Sequence, residues 1–238
     1  MEKIIGINPV IELLQKKDTN IEKIEIFKGL KGENVNKIKN LASERNIKIY
    51  YTNKKDENSQ GVVALVSDYN YYVDINEFLE KMAFKREATI LILDGIQDPR
   101  NFGALIRSAE VFGVNGIIIP ERNSVKINET VVKTSTGAIE YVDIVKVTNI
   151  SEVIQKLKKI DFWVYGAEGS GNKNYFEEKF PKKTALVLGS EGFGIRKKVK
   201  ENCDILVKIP MYGKINSLNV SVAGGVILSE IAKGRLQS

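Results

Sequence analysis

The chain has 238 residues, of which 43% are hydrophobic and 28% charged, and its formal net charge is +6. This composition is typical of a globular protein with one large domain or two small ones. The absence of histidine and the single cysteine, Cys203, exclude Ser-His-Asp and Cys-His catalysis and an intrachain disulfide, and they argue against a structural zinc site.

The same composition bears on location and partners. A single cysteine predicts a reducing, cytoplasmic setting. The N-terminus lacks the basic segment and apolar run of a signal peptide, and no segment is apolar over the length of a bilayer, so no membrane partner is expected. The basic excess lies mainly beyond residue 74, which is compatible with nucleic-acid binding without establishing it.

The N-terminal part of the chain alternates short predicted helices and strands. Asn8 and Pro9 are typical of a helix start, because Asn can cap a helix and Pro fits its first turn. A second helix is predicted at 33–45. Alternating and apolar runs predict strands at 22–27, 47–51 and 62–66.

An aromatic stretch, residues 67–74, marks the predicted end of this first domain. It contains Tyr69, Tyr71 and Tyr72, whose rings could stack on bases or could form an interdomain packing cluster. A short helix at 75–84 is predicted to lie in a linker. The predicted domains are therefore 1–74 and 88–238, joined by a linker at 75–87.

From residue 88 onward, short apolar runs alternate with predicted helices, as in buried parallel strands. Helices are predicted to begin at caps such as Asp98, which precedes Pro99, and Ser151. The pattern predicts an α/β fold with a parallel sheet covered by helices on both faces. Its strands are predicted at 89–93, 116–119, 162–165, 185–188 and 205–209.

The helix that follows Asp98 has a polar face at spacings of three and four residues. Gly103, Arg107 and Glu110 lie on it. A glycine inside a helix costs about 1 kcal/mol relative to alanine, which a closely approaching backbone or ligand would explain. The alternative is a surface ion pair between Arg107 and Glu110 beside a tolerated glycine.

Two glycine-rich turns follow predicted strands, at Gly166-Ala167-Glu168-Gly169-Ser170-Gly171 and Gly189-Ser190-Glu191-Gly192-Phe193-Gly194. Ligands approach parallel sheets at such strand ends, although either turn could simply connect a strand to a helix. Neither turn has the Gly-x-Gly-x-x-Gly spacing of dinucleotide-binding folds. The basic run Arg196-Lys197-Lys198 with Lys200 could bind RNA phosphates or form an ordinary solvated helix face.

A third polar stretch, Asn216-Ser217-Leu218-Asn219-Val220-Ser221, follows the strand end at Ile209-Pro210-Met211. A helix is predicted to begin near Ser217 or Leu218, and the first residues of a helix expose N–H groups and polar side chains. A capped amphipathic helix would explain this stretch without a function.

The order and spacing of Asp98 to Arg107, Gly189 to Gly192 and Asn216 to Ser221 resemble those of the SpoU/TrmH family of RNA ribose 2′-O-methyltransferases, within the SPOUT superfamily. The resemblance implies a trefoil knot, S-adenosylmethionine as cofactor, RNA as partner, and a homodimer whose site spans the interface. Residues 6–10 and 60–64 resemble the L30e-like RNA-binding domain that precedes the catalytic domain in many such enzymes, although Ser59 stands where relatives often have His.

The resemblance also implies residue roles. The family glutamate corresponds to Glu191 rather than Glu168, because Glu191 lies about 20 residues before Ile209. No metal is implied, since the methyl group of the sulfonium cofactor is already activated. The implied catalytic residues are Arg107, Asn101, Glu191, Ser217 and Asn219, and the implied cofactor-binding residues are Gly189, Gly192, Ile209, Met211 and Leu218.

The two-domain layout resembles that of the enzyme modifying a guanosine in 23S rRNA, which leaves tRNA or another rRNA site, as in antibiotic-resistance relatives, as alternatives. A non-catalytic RNA-binding or ribosome-assembly factor on the same scaffold is a hypothesis of a different class. The complete set of polar site residues argues against it. The glycine spacing disfavours a nucleotide-dependent oxidoreductase.

Overall fold

A computed structural model describes residues 2–16, 19–53, 59–66 and 71–236 of the chain. No helix in these ranges is both long and apolar enough to cross a bilayer. The elements, in chain order, are β1 (Glu2–Ile5), α1 (Ile7–Gln15), β2 (Ile21–Phe27), α2 (Glu33–Glu44), β3 (Ile49–Thr52), β4 (Val62–Val66), β5 (Tyr72–Val73), α3 (Ile75–Phe84), β6 (Ala88–Asp94), α4 (Pro99–Val111), β7 (Gly116–Pro120), α5 (Glu129–Ser135), β8 (Asp143–Val147), α6 (Ile150–Lys158), β9 (Trp163–Ala167), β10 (Lys173–Asn174), β11 (Lys183–Gly189), α7 (Lys197–Glu201), β12 (Ile205–Lys208) and α8 (Val220–Leu236).

The chain divides into two compact units. The first comprises Met1–Tyr71 with Ile127–Tyr141, and the second comprises Tyr72–Lys126 with Val142–Ser238. Residues 127–141, which contain α5, thus group with the N-terminal segment, and nothing in the local sequence pattern indicated this. The domain limits 1–74 and 88–238 stay a prediction.

The first unit is a small α/β fold around a four-stranded sheet in the order β1-β4-β2-β3. Strands β1 and β2 are antiparallel to β4, whereas β2 and β3 are parallel. Helix α1 begins at Ile7 with Gly6 as its N-cap, at a φ of 105° that favours glycine. The predicted start at Asn8 and Pro9 was therefore late, and Asn8 lies inside the helix instead of capping it.

The second unit is built on an eight-stranded sheet in the order β10-β12-β9-β11-β6-β7-β8-β5. Every neighbouring pair in this sheet is parallel, and all seven residues of β6 are buried. The predicted α/β class with a parallel sheet is confirmed. The trefoil knot stays a prediction.

Helices cover both faces of this sheet. Helices α3, α6 and α7 contribute to a core on one face that includes Val187 of β11. The next residue, Leu188, points to the opposite face because side chains alternate along a strand. There α8 packs closely, since a Cβ on Gly224 would lie 2.8 Å from Leu188 Cδ1 and 2.5 Å from Leu105 Cδ2 of α4. Glycine at position 224 permits this approach.

Two helices of the second unit differ from the sequence prediction, the first in its surroundings and the second in its cap. The helix predicted at 75–84 is confirmed, but its Phe78 and Met82 are fully buried in the core of the second unit. Helix α6 is capped by Asn149, whose Oδ1 accepts a hydrogen bond from the backbone N–H of Ser151 at 3.0 Å. The predicted cap at Ser151 was wrong by two residues, because Asn149 accepts from the free N–H groups of Ser151 and Glu152 and thereby places Ser151 inside the first turn.

Candidate active site

Polar or glycine-containing segments follow four adjacent strands of the second unit. In sheet order, β12 leads to Ile209, β9 to Glu168 and β11 to Ser190, while β6 ends at Asp94. The carboxyl ends of parallel strands lie at the same edge of a sheet, where α/β proteins commonly bind ligands. The strand order therefore brings together residues that are far apart in the sequence.

The turn after β11, residues 189–194, is called here the glycine loop. Ser190 N donates to Gly194 O at 3.1 Å, and Gly194 N donates to Ser190 O at 2.9 Å. Gly192 and Gly194 have φ values of 86° and 67°, in the left-handed region that favours glycine. A Cβ on Gly189 would lie 2.0 Å from the carbonyl carbon of Gly194. The loop is thus closed on itself and presents Glu191 at its exposed tip.

A buried ion pair anchors the end of the glycine loop. The Asp94 side chain is 0% exposed, and its Oδ1 lies 2.5 Å from Arg196 Nη2. Arg196 also donates from Nε to Oδ1 at 2.7 Å and from its backbone N to Oδ2 at 2.8 Å. The sequence reasoning missed this pair, although an acid directly after six residues of an apolar strand was a signal for a buried partner.

The basic run after the loop is therefore divided between structural and exposed side chains. Arg196 is held by Asp94, and Lys200 lies 3.5 Å from the carboxylate of Glu168. Lys197 and Lys198 are exposed at the start of α7. One interpretation of the sequence was that the whole basic run binds RNA phosphates. Such binding would compete with these two ion pairs.

Three polar side chains meet beside the glycine loop, and we call them the amide–carboxylate cluster. Asn101 Nδ2 donates to Glu191 Oε1 at 3.0 Å. Asn219 Nδ2 donates to the same Glu191 oxygen at 3.0 Å and to Asn101 Oδ1 at 2.9 Å. These three residues come from the three separate polar stretches that the sequence analysis singled out.

Helix starts hold two members of the cluster in place. Asp98 Oδ1 accepts from Asn101 N at 2.7 Å as the N-cap of α4. Asn219 Oδ1 accepts from Ser221 N at 2.9 Å at the start of α8, which begins at Val220, later than predicted. The N-termini of two helices thus lie near the Glu191 carboxylate, and helix N-termini favour negative charge.

A large cavity of about 980 Å³ opens next to the cluster. All five predicted cofactor-binding residues line it, together with Ser217, Glu191 and Asn219. A second, small cavity of about 300 Å³ is lined by Asn101 and also by Glu191. Four of the five predicted catalytic residues therefore line one or both of these cavities. Their catalytic roles stay a prediction.

Arg107 is the exception among the predicted catalytic residues. It is exposed on α4, six residues and about 9 Å beyond Asn101, and it lines neither cavity. It does not form the alternative ion pair with Glu110 either, since both residues lie in the described part of the chain and no contact within 4.0 Å joins them. Among the residues that the structure describes, none forms a hydrogen bond or an ion pair with its guanidinium.

Ser59 and the tyrosines at 69–72 were the candidate RNA contacts outside the site. Ser59 is 2% exposed, and its Oγ accepts a hydrogen bond from Gly61 N at 3.1 Å, so it stabilises the turn before β4. The ring of Tyr72 lies 3.7 Å from Lys146 Nζ, in a cation–π contact within the second unit. Tyr69 lies outside the described residues.

Taken together, a parallel α/β sheet, a closed glycine loop and a polar cluster at the strand ends define a ligand-binding α/β enzyme. A sequence model of the SpoU rRNA methylase family matches residues 88–229. A second model, for RNA 2′-O ribose methyltransferase substrate binding, matches residues 3–72. The chain belongs to the SpoU rRNA methylase family, and the family membership predicted from the sequence is confirmed.

Individual relatives agree with this assignment. The chain is 39% identical over 241 residues to a Staphylococcus haemolyticus protein assigned to the TrmH family of tRNA/rRNA methyltransferases, covering 98% of the chain and 96% of that relative. The SpoU methyltransferase AviRb from Streptomyces viridochromogenes matches with a TM-score of 0.83 and 23% identity, over 99% of this chain and 90% of AviRb. The AdoMet-bound rRNA methyltransferase from Sinorhizobium meliloti matches with a TM-score of 0.79 and 23% identity, over 100% and 88%. At these identities, the two structures support the fold.

Proposed function

We propose that the protein transfers a methyl group from S-adenosylmethionine to a ribose 2′-hydroxyl of RNA. The observation that carries the proposal is the amide–carboxylate cluster of Asn101, Glu191 and Asn219, which borders the large cavity. The family membership supports methyl transfer, and two structural neighbours, AviRb and the Sinorhizobium meliloti enzyme, were crystallised with AdoMet.

The residues around the large cavity suit this cofactor. A volume of about 980 Å³ lies at the upper end of the range typical of small-molecule sites. Ile209, Met211 and Leu218 provide apolar side chains for the faces of an adenine ring, while Gly189 and Gly192 leave backbone N–H and C=O groups accessible. When bound, S-adenosylmethionine supplies an activated methyl group on a positively charged sulfur.

The cluster is built to orient a substrate group. Glu191 Oε1 accepts from two amides, and within the described residues no hydrogen bond occupies Oε2. That oxygen can accept a hydrogen bond from a ribose hydroxyl, and Ser217 in the cavity wall can add another polar contact. Because the helix starts fix Asn101 and Asn219, the hydroxyl would be held in one orientation, which is a large part of the catalysis available for such a transfer.

Arg107 has two possible roles toward the leaving proton. An arginine is essentially always charged, so it can stabilise the developing alkoxide electrostatically. Alternatively, an RNA phosphate or a backbone group changes its environment so that the guanidinium first gives up a proton, and the neutral side chain then accepts the proton of the 2′-hydroxyl. In both cases Arg107→Ala abolishes methyl transfer, measured with labelled cofactor, while calorimetry still detects cofactor binding. Loss of cofactor binding alone would contradict the assignment.

We further propose that the site is completed in a homodimer. The loops around the large cavity expose apolar side chains, since Phe193 is 94%, Tyr212 is 96% and Ile215 is 76% exposed. Exposed apolar groups of this kind are typical of surfaces that another protein covers. Arg107, which lines neither cavity among the described residues of its own chain, would then serve the cofactor bound by the second copy.

Complementation tests the shared site. Protomers with Arg107→Ala are mixed with protomers that cannot bind the cofactor, and both are inactive alone. If Arg107 acts across the interface, one site of each mixed dimer regains activity. Absence of any recovery would assign Arg107 to its own chain.

The proposal for the RNA substrate rests on the resemblance of the two-domain layout. The match of residues 3–72 to a substrate-binding model supports RNA binding by the N-terminal segment. We propose a guanosine in 23S rRNA as the target, with tRNA as the alternative. Mapping 2′-O-methylation across rRNA and tRNA from a deletion strain tests both. Titration with S-adenosylmethionine that released no heat would instead favour a non-catalytic RNA-binding factor.

A further inference from the structure

The first glycine-rich turn, residues 166–171, has no role in the site described so far. It follows β9, which pairs in the sheet with β11, the strand that leads into the glycine loop. Glu168 is the first residue after β9. An acidic side chain therefore stands at the carboxyl end of the strand adjacent to the one that carries the glycine loop.

The backbone holds this turn rigidly against β12. Glu168 N donates to Val207 O at 2.9 Å, and Gly171 N donates to Glu168 O at 2.8 Å. A Cβ on Gly171 would lie 2.8 Å from the carbonyl carbon of Val207, so no other residue fits there without moving the strand. The position of Glu168 is thus fixed by two strands of the sheet.

The carboxylate of Glu168 lies beside the glycine loop, at the wall of the large cavity. Glu168 lines this cavity, and its Oε2 lies 3.3 Å from the place where a Cβ on Gly194 would stand. Its ion-pair partner is Lys200, whose Nζ is 3.5 Å from Oε2 and also donates to Ser170 Oγ at 3.2 Å. This is a long contact, and within the described residues no hydrogen-bond donor occupies Oε1. The carboxylate therefore keeps capacity to accept hydrogen bonds from a ligand.

The chemistry of a nucleoside ligand matches this acceptor. In other α/β folds, an acidic residue at the end of the strand beside a glycine turn accepts a hydrogen bond from a ribose hydroxyl. A carboxylate has two oxygens, which suits the two adjacent hydroxyls of a ribose. We propose that Glu168 binds the ribose hydroxyls of the adenosyl cofactor and thereby selects a ribonucleoside. This inference rests on the proposed cofactor.

Calorimetric titration with S-adenosylhomocysteine and its 2′-deoxy and 3′-deoxy forms tests the inference without relying on activity. A hydrogen bond to a charged group corresponds to about ten- to a hundredfold in affinity, so the wild-type protein is expected to bind at least one deoxy ligand that much more weakly. Glu168→Ala is expected to bind S-adenosylhomocysteine about as weakly as the wild-type protein binds that deoxy form. Removing the same hydroxyl from the ligand should then cause no further loss of affinity in Glu168→Ala. Glu168→Gln, which keeps the shape and one acceptor oxygen, is expected to lie between them.

Lys200→Met is the matched control, because it breaks the same ion pair while keeping the carboxylate, and it is expected to retain the penalty for the missing hydroxyl. An undiminished hydroxyl penalty in Glu168→Ala would overturn the inference. So would a loss of affinity in that variant for S-adenosylmethionine but not for S-adenosylhomocysteine, whose sulfur carries no charge, since Glu168 would then act on the sulfonium charge. If the wild-type protein binds neither ligand, the proposed function itself fails and the inference falls with it.

Discussion

Replacing Gly189 by alanine should open the glycine loop. The new Cβ would lie 2.0 Å from the carbonyl carbon of Gly194, 2.2 Å from the backbone N of Ile195 and 2.3 Å from the carbonyl oxygen of Gly194. Carbon atoms in contact are separated by about 3.5 Å, so the shortfall is about 1.5 Å. All three atoms belong to the backbone, so no side chain can rotate away to relieve the collision.

The cost can be worked out from the contacts that must move. Separating residues 189 and 194 stretches the two backbone hydrogen bonds between Ser190 and Gly194, each contributing about 0.5–1.5 kcal/mol. Overpacking adds about 1–3 kcal/mol. We therefore expect the free energy of unfolding of the second unit to fall by about 2–6 kcal/mol. Cofactor binding should be lost as well, because the loop forms part of the cavity wall.

Gly192→Ala is the control within the same loop. Gly192 also has a positive φ, which costs about 1–2 kcal/mol for another residue, but apart from its chain neighbours no atom of the described residues lies within 4 Å of its Cβ position. Urea denaturation followed by the fluorescence of Trp163, the single tryptophan, reports on the second unit. Equal destabilisation by the two substitutions would refute the argument from the collision.

Three further predictions concern buried or capped groups. Arg196→Met leaves the buried Asp94 carboxylate without its guanidinium and should lower the free energy of unfolding by about 3–5 kcal/mol. Asp94→Asn instead leaves an Arg196 side chain that is 55% exposed to water, so it should cost less. Equal losses of stability in urea denaturation would contradict this prediction. Asn219→Ala removes a helix cap, so it should lower the free energy of unfolding by about 1–2 kcal/mol and also reduce methyl transfer. Asn219→Asp keeps the cap but repels Glu191, so it should reduce methyl transfer alone. An Asn219→Asp variant as active as the wild type would contradict this prediction. Burial raises the pKa of Cys203 from 9.0 to about 12. The free energy of unfolding should therefore keep the contribution of the neutral thiol below pH 9 and lose it as the pH rises toward 12. A thiol reagent at about pH 8 should also label the native protein far more slowly than the unfolded protein.

Much of the fold could be predicted from local sequence pattern. Strands buried on both faces must be apolar throughout, so the runs at 89–93 and 185–188 indicated β6 and β11. Strand β8 was missed because Asp143 and Lys146 interrupt its apolar pattern, and these residues are only partly buried near the sheet edge. The strands β5 and β10 have two residues each, which is too short for any periodic signal.

The candidate site divides in the same way. Chain order assigned Glu191 to the family position, and the five cofactor-binding residues inferred from the resemblance do line one cavity. The order of motifs along the chain assigned no role to Glu168, yet Glu168 lines the same cavity. Asp94 and Arg196 are 102 positions apart, so the local pattern could indicate that Asp94 needs a buried partner but not which residue that partner is.

The sequence alone determined most of the helices, the strands that are apolar throughout and the residue types available for chemistry, because periodicity and composition record whether a position is buried. The order of the strands in the sheet was decided by tertiary packing. That order places the ends of β6, β9, β11 and β12 side by side, and only then do Asn101, Glu191 and Asn219 come within hydrogen-bonding distance. A hydrogen bond acts over about 3 Å of space whatever the separation along the chain, so a site made from distant segments exists only once the sheet is assembled.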